Sequence, residues 1–397
     1  MRRDKNMDKK QEIQDEVQLI QDLFDGIDNG DFNNFGETSD KYTFKYLKAI
    51  WDLQTVLDGG KELYKQIYEI AIKCGIRHVQ QKYKTGRKIK VAFLTISAAE
   101  WPAESVYRLL KMNENVEAYL VVGPLIDRSV ENMEDAFEKT ASFFEKRGYD
   151  VRRAYDSKNK KVRLWEEIGK PDIVIHLTHW YKSLPEEYQI ENYPFTILNC
   201  YIPYAMSLAD NAKGTFMINS SNNSMFLNMM WHIYTDTMYH YEGYREYQLL
   251  GGENVVFTGF PKMDFFYNKI ENTSDQLMLM ANWKYPTGCD PKNMKEVIIA
   301  PHHTFLGYGG ILYSTFQWNM YFWIYLAKKY ENQISFIFKP HPNLRTRAIE
   351  AEVFRDAGDY ERYIDLWEKL PNARVSAEES YLEIFATSDG MIMDSNS

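Results

Sequence analysis

The chain of 397 residues has few cysteines, and they are far apart. Cys74, Cys200 and Cys289 form no Cys-x-x-Cys pair, so neither a zinc site nor a disulfide framework is predicted, and a reducing cytosol fits best. No apolar run approaches the ~18 residues that a membrane-spanning helix needs. The 21 glycines and 13 prolines stay below their usual ~12% share, which excludes collagen-like and low-complexity chains.

Positive charge is also scarce. Lys and Arg together number 47 against 56 Asp and Glu, which gives a formal net charge of −9. Because nucleic-acid binding usually needs a basic field, we expect no nucleic-acid partner. Hydrophobic residues make up 45% of the chain and aromatic residues 15%, as in a globular protein. The length predicts two or three domains.

Hydrophobic periodicity divides the chain into three segments. Residues 1–86 carry apolar residues at helical spacing, such as Ile13 and Phe24, and are predicted to form a helical extension for packing or oligomerisation. Residues 87–253 and 254–397 each alternate short apolar runs with helical segments, which predicts βαβ units and parallel sheets. The predicted fold class is therefore α/β, with two Rossmann-like domains after the helical extension.

The last segment carries three more detailed expectations. Its first strand is predicted at Val255–Thr258, and the aromatic residues of the apolar helix Phe316–Tyr330 are predicted to be core. The chain ends on Asp394–Ser397, a pattern typical of a helix start. Because a parallel sheet needs helices on both faces, we expect a fragment whose C-terminal domain is incomplete.

Four polar clusters directly follow predicted strands in the second α/β series. Ligands of open α/β sheets bind beyond the carboxyl ends of the strands, so these clusters are predicted to face one crevice. The clusters are Gly259–Asp264, Pro301–Thr304, Lys339–Arg345 and Asp394–Ser397.

Two of these clusters suit a phosphate or a diphosphate. Lys339, His341 and Arg345 concentrate positive charge in an acidic protein, and the prolines beside His341 fix its backbone. Ser395 and Ser397 lie at a predicted helix N-terminus, where free N–H groups favour an anion. A solvated loop and simple helix capping are the respective alternatives.

The order of the clusters resembles the CDP-glycerol:poly(glycerophosphate) glycerophosphotransferase family, that is, the teichoic-acid polymerases and their capsule-synthesis relatives. The resemblance covers about residues 255–397. The family's Gly-x-Pro-Arg-x-Asp motif is similar to Gly259–Asp264, with Lys262 in place of Arg. Its Lys-Pro-His-Pro motif is similar to Lys339–Pro342, and its Asp-x-Ser-Ser motif to Asp394–Ser397. The resemblance implies a GT-B architecture whose second domain holds a nucleotide donor.

Site residues follow from this resemblance and from side-chain chemistry. The resemblance implies that His341 and the two serines hold the donor diphosphate, and a His near neutral pH can act as base or donor. The catalytic candidates are His341, His302 and His303. The donor-diphosphate candidates are Lys339, Arg345, Asp394, Ser395 and Ser397. Candidates for the donor side or the interdomain region are Lys262 and Asp264.

The first α/β series resembles the family only loosely. Teichoic-acid polymerases carry Trp-His-Gly-Thr-Pro after a strand, and if Pro203 matches this proline, Cys200 stands where the family has His. Cys200 itself is predicted to be a buried strand residue. His179 and Tyr204 are weaker candidates for the acceptor side, with a packed or rim position as the alternative for His179.

The resemblance implies a transferase that moves glycerol phosphate from CDP-glycerol to a hydroxyl group and releases CMP. The acceptor would be a membrane-linked glycan or poly(glycerophosphate) chain in cell-wall or capsule polymer synthesis. The sequence requires no cofactor or metal, and CDP-glycerol is the expected donor substrate. The alternatives are a GT-B glycosyltransferase with another nucleotide-sugar donor and a non-catalytic subunit of a polymer-synthesis complex.

The same function implies a location and contacts. We expect a cytoplasmic protein that is peripheral at the cytoplasmic face of a membrane. The N-terminal helices are candidates for a homo-oligomer contact and, less favourably because their polar face is acidic, for a lipid contact.

Overall fold

The computed structural model describes residues 18–19, 21–26, 40–55, 59–127, 129–206, 221–269, 282–305, 312–376 and 381–394. The chain forms two compact units, Met1–Lys262 and Met263–Ser397. Each of them is built around a parallel β-sheet.

The first unit contains nine strands among the described residues. In chain order they are β1 (Ile89–Thr95), β2 (Val116–Val122), β3 (Val151–Arg153), β4 (Tyr155–Asp156), β5 (Lys161–Val162), β6 (Ile173–His176), β7 (Leu198–Tyr201), β8 (His232–Thr235) and β9 (Val255–Phe257). Seven of them form one parallel sheet in the order β3-β2-β1-β6-β7-β8-β9, while β4 and β5 form a small antiparallel pair. This is the doubly wound topology, with its switch point between β1 and β6.

Helices cover this sheet because its central strands are apolar throughout. Strand β1 is buried along almost its whole length, which a parallel sheet permits only when both of its faces are covered. The described helices are α1 (Lys45–Leu53), α2 (Gly60–Lys84), α3 (Glu104–Met112), α4 (Val130–Lys146), α5 (Trp165–Ile168), α6 (Met225–Asn228) and α7 (Met238–Tyr247).

The N-terminal helices are part of the core of the first unit. Ile67 of α2 belongs to the same buried cluster as Val174 and Tyr201 of the sheet. At Gly75 the helix comes so close to the sheet that a Cβ atom would lie 2.5 Å from Leu198. Residues 1–86 are therefore no separate appendage as far as they are described. The predicted helix around Ile13 lies largely outside the described residues.

Asp172 links α2 to the sheet through hydrogen bonds. Its Oδ1 accepts a hydrogen bond from Lys82 Nζ at 2.6 Å and lies 2.9 Å from His78 Nε2, while its Oδ2 accepts from the Lys90 N–H at 2.8 Å. The side chain is only 2% exposed. Burial alone would raise the pKa of Asp172, but these hydrogen bonds hold it below its usual value.

The second unit repeats the parallel design on a smaller scale. Its described elements are α8 (Asp264–Lys269), β10 (Lys295–Ala300), α9 (Phe316–Lys329), β11 (Ile334–Phe338), α10 (Leu344–Glu350), α11 (Ala357–Glu368), β12 (Ala373–Val375), α12 (Leu382–Thr387) and β13 (Gly390–Met393). The strand order is β12-β11-β10-β13, with every pair parallel and the switch point between β10 and β13. The predicted fold class, α/β with two Rossmann-like parallel sheets, is confirmed.

Strand β9 differs from the prediction. Residues 255–258 were expected to open the second α/β series, but β9 pairs with β8 in parallel, with Val255 opposite Ile233. The first unit therefore extends to Lys262 instead of ending at 253. A short apolar run indicates a strand, but its partner is set by contacts that are distant in sequence.

Helix α9 buries only one of its faces. Phe316, Met320 and Trp323 are buried in a cluster with Phe338 of β11. The aromatic rings on the opposite face are more than half exposed, at Trp318, Tyr321, Phe322 and Tyr325. The prediction that the aromatics of this helix are all core is wrong, because a helix at a sheet surface buries one stripe only.

Two carboxyl groups meet near the amino ends of β10 and β13. Asp389 accepts hydrogen bonds from the Glu296 N–H at 2.9 Å and from Lys295 Nζ at 2.8 Å. Tyr285 donates to Glu296 at 2.9 Å. Burial and the hydrogen bond to Asp389 raise the pKa of Glu296 to about 7. The protonated Glu296 is thus the form that suits this site.

We expect the second unit to lose stability as the pH rises from 5 to 8, because Glu296 then loses its proton. A raised folded-state pKa contributes stability that is complete below the unfolded-state pKa and disappears as the pH passes the folded value of about 7. Glu296→Gln should flatten this dependence, because its amide donates a hydrogen bond at every pH. Thermal unfolding at several pH values measures the effect, with Glu331→Gln as the control. If the melting temperature depends on pH equally in Glu296→Gln and in the original chain, the raised pKa of Glu296 is contradicted.

Candidate functional site

Three histidines come together at the carboxyl ends of β10 and β11. The rings of His303 and His341 stack with their centroids 3.9 Å apart. The centroid of His302 lies 4.4 Å from that of His303 and 5.7 Å from that of His341. The cluster adjoins the switch point of the second sheet, which is where ligands bind in this topology. The structure thus assembles the three histidines that the sequence singled out.

Asp394 holds the loops around this cluster. It follows β13, and its Oδ2 accepts a hydrogen bond from the His302 N–H at 2.9 Å. Its Oδ1 accepts from the N–H and the hydroxyl of Thr315 at 3.0 and 2.5 Å, just before α9. The sequence placed Asp394 among the diphosphate candidates. In the structure its carboxylate joins the loop after β10 to the start of α9, so we describe it as a positioning residue.

Local hydrogen bonds define the tautomers of two imidazoles. The Thr304 N–H donates to Nδ1 of His302 at 3.2 Å, and the Asn343 N–H donates to Nδ1 of His341 at 3.0 Å. Because each Nδ1 accepts a hydrogen bond, the hydrogen of the neutral ring must be on Nε2. An Nε2–H group of a neutral imidazole is a hydrogen-bond donor of the kind that suits phosphate oxygens.

These imidazoles are neutral at pH 7. Burial, followed by the neighbouring imidazoles and Lys339, lowers the pKa of His341 to about 3. Burial, His302 and Arg347 lower that of His303 to about 4. Burial also lowers the pKa of His302, against the opposing charge of Asp394. The fixed positive charge at the cluster therefore comes from Lys339 and Arg347, and a neutral ring is able to accept a proton as a base.

Arg347 is a residue that the site list from the sequence lacks. Its charge acts on His303, and it also donates to Glu350 at 2.6 Å. The listed Arg345 instead forms an ion pair with Glu361 on α11, with N and O atoms 3.4 Å apart. Both arginines follow the same motif, and the sequence does not show the direction in which α10 leaves the strand.

Four further candidates remain. Ser395 and Ser397 are outside the described residues. Lys262 is buried in the first unit, where its Nζ donates to the carbonyl of Ala99 at 3.2 Å. Asp264 is exposed in the first turn of α8.

The two acceptor-side candidates meet at the carboxyl ends of β6 and β7. His179 stacks on Tyr204 with centroids 6.5 Å apart, lies against Trp180, and has its Nδ1 3.4 Å from the Tyr201 hydroxyl. Burial lowers the pKa of His179 to about 4. Burial and then the charge of Glu100 raise the pKa of Tyr204. A neutral His and two phenols form a polar edge suited to hydrogen bonding with hydroxyl groups.

A carboxylate that the sequence analysis did not single out lies at the same edge, beside a histidine. Asp236 directly follows β8, has a buried side chain, and lies 3.4 Å from Nδ1 of His240. Thr237 caps α7 by accepting from the His240 N–H at 3.1 Å. Burial raises the pKa of Tyr201, and the charge of Asp236 adds a smaller contribution in the same direction. The sequence signal was Thr-Asp-Thr after a strand with a histidine one helical turn further on.

Cys200 is the buried strand residue that the sequence predicts. It lies in β7 and is 2% exposed. Burial raises the pKa of its thiol to about 12, so no thiolate nucleophile forms there at neutral pH.

Two features are absent from the described residues. These residues contain no group of three or more His, Cys, Asp or Glu side chains arranged to hold a metal ion. No helix among them combines the length and the apolar character needed to cross a bilayer.

Comparison with protein-family models gives no match, and comparison with curated proteins gives none either. Among solved structures, the chain is similar to a variant of the wall teichoic acid polymerase TagF, with 11% identity, a TM-score of 0.45, and 85% of this chain and 74% of that chain covered. It is also similar to S. aureus MnaA in a co-structure with UDP, with 13% identity, a TM-score of 0.38, and 78% and 74% covered. A third similar structure is UDP-GlcNAc 2-epimerase from Methanocaldococcus jannaschii, with 11% identity, a TM-score of 0.40, and 78% and 79% covered. These similarities are too weak to assign a function, which has to be argued from the residues of this chain.

Proposed function

We propose that this protein transfers glycerol phosphate from CDP-glycerol to an acceptor hydroxyl group and releases CMP. The observation that carries the proposal is the histidine cluster at the carboxyl ends of β10 and β11, beside the switch point of the second sheet. It combines two Nε2–H donors with the charges of Lys339 and Arg347, which suits a diphosphate in an otherwise acidic protein. The motif order from Gly259 to Asp394, which resembles the CDP-glycerol-dependent family, supports the choice of donor.

In this proposal the acceptor oxygen attacks the phosphorus that carries glycerol. A new P–O bond forms, the bond to the bridging oxygen breaks, and CMP leaves with the electron pair. A neutral imidazole of the cluster, for which His302 and His303 are the candidates, takes the proton of the hydroxyl group. Lys339 and Arg347 offset the charge of the diphosphate, since this chemistry depends on positioning and on charge stabilisation. The acceptor is proposed to be a membrane-linked glycan or poly(glycerophosphate) chain.

Donor binding and CMP release test the proposal together. In calorimetry with the full chain, we expect CDP-glycerol to bind and CMP to compete with it, while UDP-GlcNAc binds at least about tenfold more weakly. With a membrane fraction as the source of acceptor, CMP release should depend on CDP-glycerol. Turnover of a hexose nucleotide alone would instead identify a glycosyltransferase. Binding of no nucleotide would favour a non-catalytic subunit, and either result would overturn the proposal.

A further inference from the structure

The exposed surface of helix α9 consists of aromatic and basic side chains. Its exposed side chains recur at the spacing of one helical face, and they are aromatic at four positions and basic at two. They are Trp318, Tyr321, Phe322, Tyr325, Lys328 and Lys329, which we call the α9 face. The opposite side of the helix is buried in the second unit.

The α9 face is unusual for a protein surface. Single exposed aromatics are common, but four adjacent exposed rings on one helix form a contiguous patch that indicates a binding surface. Phe322 stacks on Tyr325 with centroids 6.3 Å apart, and Lys329 lies 6.0 Å from the Tyr325 ring. The sequence of α9 contains no acidic residue, although the whole chain has a net charge of −9. The local charge is thus opposite to that of the protein.

This composition fits a lipid surface better than a protein partner. Trp and Tyr concentrate at membrane–water interfaces because their rings are apolar on one side and polar on the other. Lysines beside such rings attract anionic head groups, whereas Lys is depleted in the cores of protein interfaces. A helix of 14 residues is about 21 Å long, too short to cross a bilayer but long enough to lie along it.

We propose that the α9 face binds the interface of an anionic lipid bilayer. The four rings enter the region between head groups and acyl chains, and Lys328 and Lys329 contact the anionic head groups. The contact places the second unit against the membrane. This inference stands on the exposed residues of α9 and does not depend on the proposed transferase activity.

Vesicle flotation with the full chain tests the proposal. We expect binding to vesicles of phosphatidylcholine mixed with phosphatidylglycerol and weak binding to phosphatidylcholine alone. The double variant Lys328→Glu/Lys329→Glu should lower the affinity for the mixed vesicles by at least about tenfold, since each lysine near an anionic surface contributes severalfold. Tyr321→Ser, with Trp318→Ser as a second variant, should weaken binding to both kinds of vesicle.

Matched controls exist on α2. Tyr83 is 62% exposed, as against 63% for Tyr321, so Tyr83→Ser removes the same ring from another surface. Lys61→Glu/Lys84→Glu changes the net charge as much as the double variant on α9. Neither control should change vesicle binding. An equal loss in the control charge variant would overturn the proposal, because it would assign the effect to overall charge.

Two further measurements keep the test decisive. Brominated acyl chains should quench the tryptophan fluorescence of the original chain, and this quenching should decrease clearly in Trp318→Phe. Absence of binding to mixed vesicles, or quenching unchanged in Trp318→Phe, overturns the proposal.

A dimer is the alternative use of the α9 face. Dimers in light scattering that Tyr321→Ser dissociates would overturn the proposal, because they would assign the α9 face to a second copy of the chain. Binding of CDP-glycerol in vesicle-free buffer should be the same in the lysine variant, so failure here is separable from failure of the proposed function.

Discussion

Replacing His341 by alanine is expected to lower kcat/KM for CMP release from CDP-glycerol by about two to three orders of magnitude. The substitution removes an Nε2–H donor from the diphosphate and the ring that stacks on His303. Loss of one preorganised donor to a charged transition state typically costs about a hundred- to a thousandfold in rate. Initial rates of CMP release, measured against CDP-glycerol concentration, check the prediction.

His341→Asn separates the chemistry of the ring from its structural role. The Nδ1 of His341 accepts a hydrogen bond from Asn343 two residues later, and an asparagine side chain is able to accept the same local bond. His341→Asn should therefore keep the loop and the melting temperature but remain strongly impaired. If both variants keep more than about a third of the rate, His341 does not contact the donor. If only His341→Ala has a lower melting temperature than the original chain, part of its loss of activity is structural.

Asp172→Ala is expected to lower the free energy of unfolding by about 3 kcal/mol, as when one partner of a buried ion pair is removed. It leaves Lys82, His78 and the Lys90 N–H without their acceptor between α2 and the sheet. Urea unfolding followed by circular dichroism measures the change. Asp150→Ala is the matched control, because Asp150 pairs with Lys111 while 40% exposed and should cost less than about 1 kcal/mol.

The same carboxylate predicts a pH dependence. The folded-state pKa of Asp172 is depressed, so its contribution is present above the unfolded-state pKa of about 4 and is lost as the pH falls through the folded value. The stability difference between the original chain and Asp172→Ala should therefore shrink as the pH falls below about 4. A difference that stays the same down to pH 3 would contradict a role for the ionised form.

The arrangement of the second sheet was predictable because its signals are local. An apolar run followed by Pro-His-His or Lys-Pro-His-Pro marks a strand end, and parallel strands bring their carboxyl ends to one edge. The meeting of His302, His303 and His341 follows from those two facts. The sequence does not predict that these rings are neutral, because their lowered pKa values depend on burial and on the closeness of the three rings to one another.

Other features depend on contacts that no local pattern contains. The sheet to which β9 belongs is decided by its pairing with β8. The exposure of Trp318 and Tyr325 depends on how much of α9 the neighbouring elements cover, and an apolar helix in the sequence looks the same whether one or both faces are buried. Arg347 acts on the cluster because of the direction of α10. Asp236 and His240 lie together because a capped helix starts directly after β8.

The role of Asp394 has a consequence for the order of assembly. The loop after β10 and the start of α9 both depend on its carboxylate, although they precede it in the chain by about eighty to ninety residues. During synthesis, β10, β11 and β12 leave the ribosome before Asp394 does. The loops around the histidine cluster are therefore held only after β13 has emerged and paired with β10, so a nascent chain can form the other three strands of this sheet before these loops are fixed.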